Sequence, residues 1–212
     1  MQNKNKTKAI VILGLLTALL ILFSFTPIGT VPIGPLSITL NVIPIAIAAI
    51  ALGPVGGLVM GSMFGILSFL QCFGIGIPSG MGATLLTINP FLAFVQRFIP
   101  RALDGLLVGL IFRFCSKKIG GSISSFIAGF FAAFLNTLFF MSALILCFGK
   151  TDYVQGLIAG KGQEYSFGGI LVFICLFVGI NAVVEMIVST VVGGAVGTAL
   201  HQAHILPLEK SE

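Results

Sequence analysis

Six apolar stretches, each bounded by glycine, proline or a polar loop, limit what this chain can become: 9–25, 39–52, 55–73, 90–114, 122–148 and 168–199. A hydrocarbon core takes about 20 residues of α-helix, with a working range of roughly 17–25. Backbone that lies in lipid must satisfy its own N–H and C=O groups, which a helix does. Only the second stretch is short. The expectation is therefore an all-α integral membrane protein, a six-helix transmembrane bundle forming a single domain over residues 1–212, with no soluble domain attached. Composition agrees, because a chain that is 57% hydrophobic and 8% charged has too little charge to wet the surface of a soluble domain.

The first stretch follows a basic segment and could be mistaken for a signal peptide. It is long for a signal core and lacks an A-x-A-like cleavage site, so it reads as a membrane helix. Between the first two stretches, Pro27, Pro32 and Pro35 with Gly29 and Gly34 forbid regular helix and favour an extended loop. LGPVGG at 52–57 reads as a tight turn that makes a hairpin of helices two and three. A Gly-rich loop starts at Gly74, and a third, the most polar in the chain, starts at Lys150.

Charge placement orients the bundle. Lys4, Lys6, Lys8, Arg113, Lys117, Lys118 and Lys210 fall on one side if the spans are counted as above, and the positive-inside rule makes that side, with both termini, cytoplasmic. The three loops then face outward, where Asp152 and Glu164 offset Lys150 and Lys161. The net charge of +5 thus reads as membrane topology, not as a nucleic-acid surface. Cys72, Cys115, Cys147 and Cys175 lack CxxC spacing and read as small packing residues.

Within this greasy chain, NPFLAFVQRFIPRALDGLL from Asn89 carries Arg97, Arg101 and Asp104 at i, i+4 and i+7, on one helix face. Arg97 lies on the order of 12 Å below Asn89 and Arg101 roughly 18 Å, too deep to reach the headgroups easily. Burying a charge at such depth costs about 2.5–3.5 kcal/mol or more, which internal partners, water or a bound anion must offset. Pro100 adds a free carbonyl at Gln96, because it has no N–H to donate there. Asn41, Gln71, Asn136, Asn181 and Glu185 supply further polar groups, and Glu185 or Asp104 is the natural partner for Arg101. Arg97 is left without an obvious acid. Either both arginines are internal glue, or Arg97 is the cation of an outward-opening site for a small anion such as a carboxylate. Gln96, Asn41, Gln71 and Asn89 are then candidate hydrogen-bonders, and Tyr153 in the third loop either caps the ligand or anchors the loop.

Catalytic signals are missing. GLIAGKG near Gly156 fails the phosphate-loop spacing, and His201 and His204 sit in the cytoplasmic tail, which supports neither HExxH chemistry nor a buried Ser–His pair. No enzyme, cofactor or metal site is expected. Small residues recur at Gly57, Gly61 and Gly65, at Gly105 and Gly109, and at Gly193 and Gly197, as helix-packing stripes do in lipid. Gly14 and Ala18 form a small-xxx-small pair on helix one that either packs internally or receives a partner's helix.

Taken together, the basic tail, the small-xxx-small first helix, PIGPLSITLNVIPIAIAAIALGPVGGLVMGSMFGILSF and NPFLAFVQRFIPRALDGLLVGLIFRF resemble the S component of an energy-coupling factor (ECF) transporter, most closely the pantothenate type. The resemblance covers nearly the whole chain and rests on the order and spacing of loose motifs. It implies a multi-pass subunit of the prokaryotic plasma membrane that captures a vitamin outside the cell. The subunit then docks on a membrane T component with two cytoplasmic ATPases, as part of an ABC-type transporter. The family's alanine docking motif maps onto Gly14 and Ala18, with glycine in place of the first alanine. Two tyrosines suit a flavin poorly, but another vitamin such as riboflavin, a stand-alone carrier, or a structural membrane protein without ligand all stay open at this point.

Overall fold

A computed structural model describes residues 2–33 and 36–203; Gly34 and Pro35 of the first loop and His204 and Lys210 of the tail lie outside the described residues. The protein is a helical membrane body. Its elements are α1 (Gln2–Phe25), β1 (Thr30–Ile33), β2 (Leu36–Thr39), α2 (Val42–Leu70), a 3-10 turn (Gln71–Phe73), α3 (Gly80–Ile88), α4 (Pro90–Ile119), α5 (Gly121–Phe148), α6 (Asp152–Ala159) and α7 (Phe167–Gln202). Among the described residues, Lys6–Phe25, Val42–Phe73, Gly121–Phe148 and Asn181–Leu200 are long and apolar enough to cross a membrane. At 30 residues α4 has the length too, but Arg97, Arg101 and Asp104 are buried in its interior.

α2 is two helices in one hydrogen-bonded run. Gly53 breaks it with φ 70° and ψ −159°, a left-handed conformation open mainly to glycine, and Pro54 restarts the helix where its missing N–H costs nothing. The halves fold back on each other: a Cβ on Gly57 would stand 3.1 Å from that of Ala49, whereas eight residues of straight helix would separate them by about 12 Å. The turn falls where LGPVGG predicts it. The second half then lies along α4 in backbone contact, since a Cβ on Gly57 would strike the Gly105 carbonyl and one on Gly105 the Gly57 carbonyl. Gly61 meets the Arg101 carbonyl and Gly65 the backbone of Phe98. This seam sets the rotation of α4, and so fixes where its arginines stand. Lipid offers helices no hydrophobic drive to associate, so close backbone contact of this kind does the holding.

The three loops carry more structure than Gly/Pro punctuation predicts. The first does run extended, but it also pairs with itself, Val31 opposite Ile38 and Thr30 opposite Thr39. The second folds α3, started by the Ser79 hydroxyl, which accepts from the Gly82 N–H at 3.1 Å. The third folds α6, capped by Thr151. Eight residues of isolated helix are unstable in water, so α6 depends on packing. Val154 and Ile158 are fully buried against Met81, Leu85, Phe140, Met141 and Phe173, each such side chain contributing about 1.5–3 kcal/mol. The result is a lid of short elements at the β1–β2 end of the bundle, opposite the basic residues Lys117 and Lys118 in the last turn of α4.

Candidate functional site

Beneath the β1–β2 hairpin and the segment before α3 lies an open cavity whose empty space, solvent at the mouth included, is about 760 Å³. Thr30 and Thr39 of the hairpin, Ile77 and Ser79 before α3, Phe64, Ser68 and Gln71 of α2 and its end, Arg97 and Arg101 of α4, Asn136 and Phe140 of α5, and Asn181 and Glu185 of α7 all face it.

Arg97 is 6% exposed, and its guanidinium is held by neutral groups alone. Nη2 donates to Ser79 Oγ at 2.9 Å and Nη1 to Ser68 Oγ at 3.4 Å, the Phe140 ring lies 5.3 Å away, and Nε has no partner among the described residues. Gly82 makes room for it: a Cβ there would stand 2.8 Å from Nη2. One turn deeper, Arg101 Nη1 donates to the Gln96 carbonyl at 3.3 Å, the oxygen that Pro100 leaves without its helical donor. Its guanidinium stacks 4.6 Å from the Phe140 ring and 5.3 Å from Phe64. Among the described residues, the acid partner expected for Arg101 is not found at ion-pair distance. Asp104 is fully buried with both carboxylate oxygens unpartnered, and Glu185 Oε1 accepts instead from the Thr39 N–H at 2.7 Å. Proline and a neighbouring arginine thus exchange roles along α4: the side chain of one satisfies what the ring of the other leaves open.

Of the residues expected from the sequence to hold the ligand, the cavity brings together Arg97 and Gln71, whose Nε2 donates to the Ser24 carbonyl at 3.1 Å. Gln96, adjacent to Arg97 but about 100° round the helix, is fully buried away from the lining, and its amide has no partner among the described residues. Asn41 is buried outside the lining. Asn89 caps α4, its Oδ1 accepting from the Leu92 N–H at 3.1 Å. Tyr153 packs on the apolar cluster around α6. Gly14 and Ala18 sit on the open outer face of α1, where a Cβ on Gly14 would meet nothing within 4 Å. The lining also recruits Ser68, Ser79, Thr39, Asn136, Asn181 and Glu185. The last three are visible in the sequence as polar groups in apolar spans; the hydroxyl residues carry no such signal.

A helical membrane body with an open, partly polar cavity at one end has the architecture of a membrane-embedded solute-binding protein. The chain belongs to the family described as ECF transporter, substrate-specific component, whose profile matches residues 8–196. It is 29% identical to the pantothenate transporter PanT of Leuconostoc mesenteroides over 93% of this chain and 94% of the relative. To the pantothenic acid transporter PanT of Lactococcus lactis it is 25% identical, over 95% and 97% of the two chains. Membership makes it a membrane-resident component of a transporter that binds the transported solute.

Proposed function

We propose that this chain captures pantothenate outside the cell and delivers it inward as the S component of an ECF transporter. Pantothenate carries one carboxylate, one amide and two hydroxyls. The observation that carries the reading is Arg97, a nearly buried guanidinium at the cavity wall that no acid neutralises among the described residues and whose Nε is unused. A carboxylate in the cavity beside this guanidinium supplies the negative charge that its neutral partners lack and offsets its desolvation. The two full-length PanT relatives support the choice of vitamin.

In this reading the single domain crosses the membrane six times, by α1, the two halves of α2, α4, α5 and α7. Both termini and the basic end of α4 are cytoplasmic, and the cavity opens outward. Energy arrives in trans from a T component and two ATPases, which dock on α1 along Gly14 and Ala18; the chain itself catalyses no reaction.

Equilibrium binding of labelled pantothenate to the purified chain tests the proposal. Charge-assisted hydrogen bonds contribute about 1.5–3 kcal/mol, so Arg97→Ala weakens binding roughly 10- to 150-fold. Absence of binding by the unaltered chain, or full affinity in Arg97→Ala, refutes it.

A further inference from the structure

The cavity is polarised. Its α4 wall offers only donors, the guanidiniums of Arg97 and Arg101, while the α5 and α7 walls add the carboxyl group of Glu185 and groups that both donate and accept, the Asn136 and Asn181 amides and the Thr137 hydroxyl. Glu185 is 5% exposed and lines the cavity, and the Thr39 N–H of the hairpin occupies its Oε1 at 2.7 Å. That bond pins the carboxyl group in place and leaves its second oxygen to accept from something else. Neither arginine takes it at ion-pair distance among the described residues. Asn181 lines the same wall one helical turn before Glu185, and the Asn136 amide oxygen, on a side chain 6% exposed, has no partner either. Buried acceptors that stay unpaired are costly, and Glu185 lines the same cavity as Arg97, the cation proposed to hold the carboxylate.

We infer that Glu185 is a specificity-determining residue, accepting hydrogen bonds from the hydroxyls of the ligand whose carboxylate Arg97 holds. The inference rests on the pantothenate reading of the same cavity. It sets the direction in which the ligand lies, carboxylate toward α4 and hydroxylated end toward α7. It also defines the solutes that are turned away. Sites built to hydrogen-bond a hydroxyl reject analogues that lack it, since the protein's own polar group is then stranded.

The test is a cycle between protein and ligand. Labelled pantothenate bound to the purified chain is displaced by unlabelled pantothenate and by its dideoxy analogue, which keeps the carboxylate, the amide and the branched carbon skeleton but has neither hydroxyl. The unaltered chain prefers pantothenate by at least about 30-fold. In Glu185→Ala that preference falls to within about threefold, because the group that reads the hydroxyls is gone. In Arg97→Ala both ligands weaken and the preference persists. Glu185→Gln, which keeps the volume and one acceptor, gives an intermediate preference and serves if Glu185→Ala does not fold. An unaltered preference in Glu185→Ala or Glu185→Gln overturns the inference while leaving pantothenate capture intact. So does a preference below threefold in the unaltered chain. Failure of the unaltered chain to bind pantothenate at all removes both.

Discussion

A single methyl group on Gly82 tests how Arg97 is seated. Gly82 stands in the first turn of α3, and a Cβ there would lie 2.6 Å from Cys72 Sγ, 2.8 Å from Arg97 Nη2 and 3.0 Å from Ser79 Oγ. Nonbonded atoms settle at about 3.5–4.0 Å, so the sulfur and the guanidinium must each move by on the order of 1 Å. Cys72 is buried and sits on the rigid turn after α2. The guanidinium is the far end of a flexible side chain, so it gives way and lengthens the 2.9 Å bond to Ser79 beyond hydrogen-bonding range. The fold suffers little, by about 1–3 kcal/mol of overpacking. If Arg97 holds the carboxylate as proposed, the site suffers more, because the cation is displaced from its ligand. The expectation for Gly82→Ala is a loss of pantothenate affinity of roughly 10-fold or more, measured by equilibrium binding, with the thermal transition in detergent lowered by only a few degrees. Pairing it with Cys72→Ala relieves the sulfur clash and recovers part of the affinity. Full affinity in Gly82→Ala would show that Arg97 is not held where the argument requires.

Pro100→Ala supplies the missing N–H to the Gln96 carbonyl and removes the reason for Arg101 to donate there. Thermal stability holds or rises, since an interior proline disfavours helix by about 3 kcal/mol, while pantothenate affinity falls several-fold; unchanged affinity would mean that Arg101 is held by other contacts. Gly14→Leu fills the open outer face of α1 without touching the cavity. Ligand binding stays within about twofold and co-purification with the T component and ATPases drops, whereas undiminished co-purification would move the docking surface elsewhere.

The parts of this molecule that could be read from the chain are those dictated by local chemistry. Pro90 after Asn89 starts α4 because asparagine caps and proline tolerates the first turn. Gly53 and Pro54 fold α2 back because few other pairs accept that backbone. α3 escapes such a reading: GMGATLLTI looks too glycine-rich for a helix, and its signals are the Ser79 cap and burial of Met81 and Leu85 against residues far along the chain. The site divides in the same way. Arg97 announces itself as a charge in an apolar helix. Which amides join it depends on helix rotation: the glycine seam between α2 and α4 fixes α4 with Gln96 turned away, while Asn136 on α5 and Asn181 on α7 turn in. Ser68 and Ser79 are ordinary hydroxyl residues until the fold brings them to one guanidinium.

The crossing of Gly57 over Gly105 has no side chain at its centre, and neither residue faces the cavity. Frame and contents are therefore written on separate letters. Changing Asn136, Asn181 or Glu185 alters the wall of the cup, whereas one added carbon at the crossing alters whether there is a cup. A receptor built this way is convertible, and retargeting it to a different nutrient is a matter of re-lettering its walls while its skeleton is left alone.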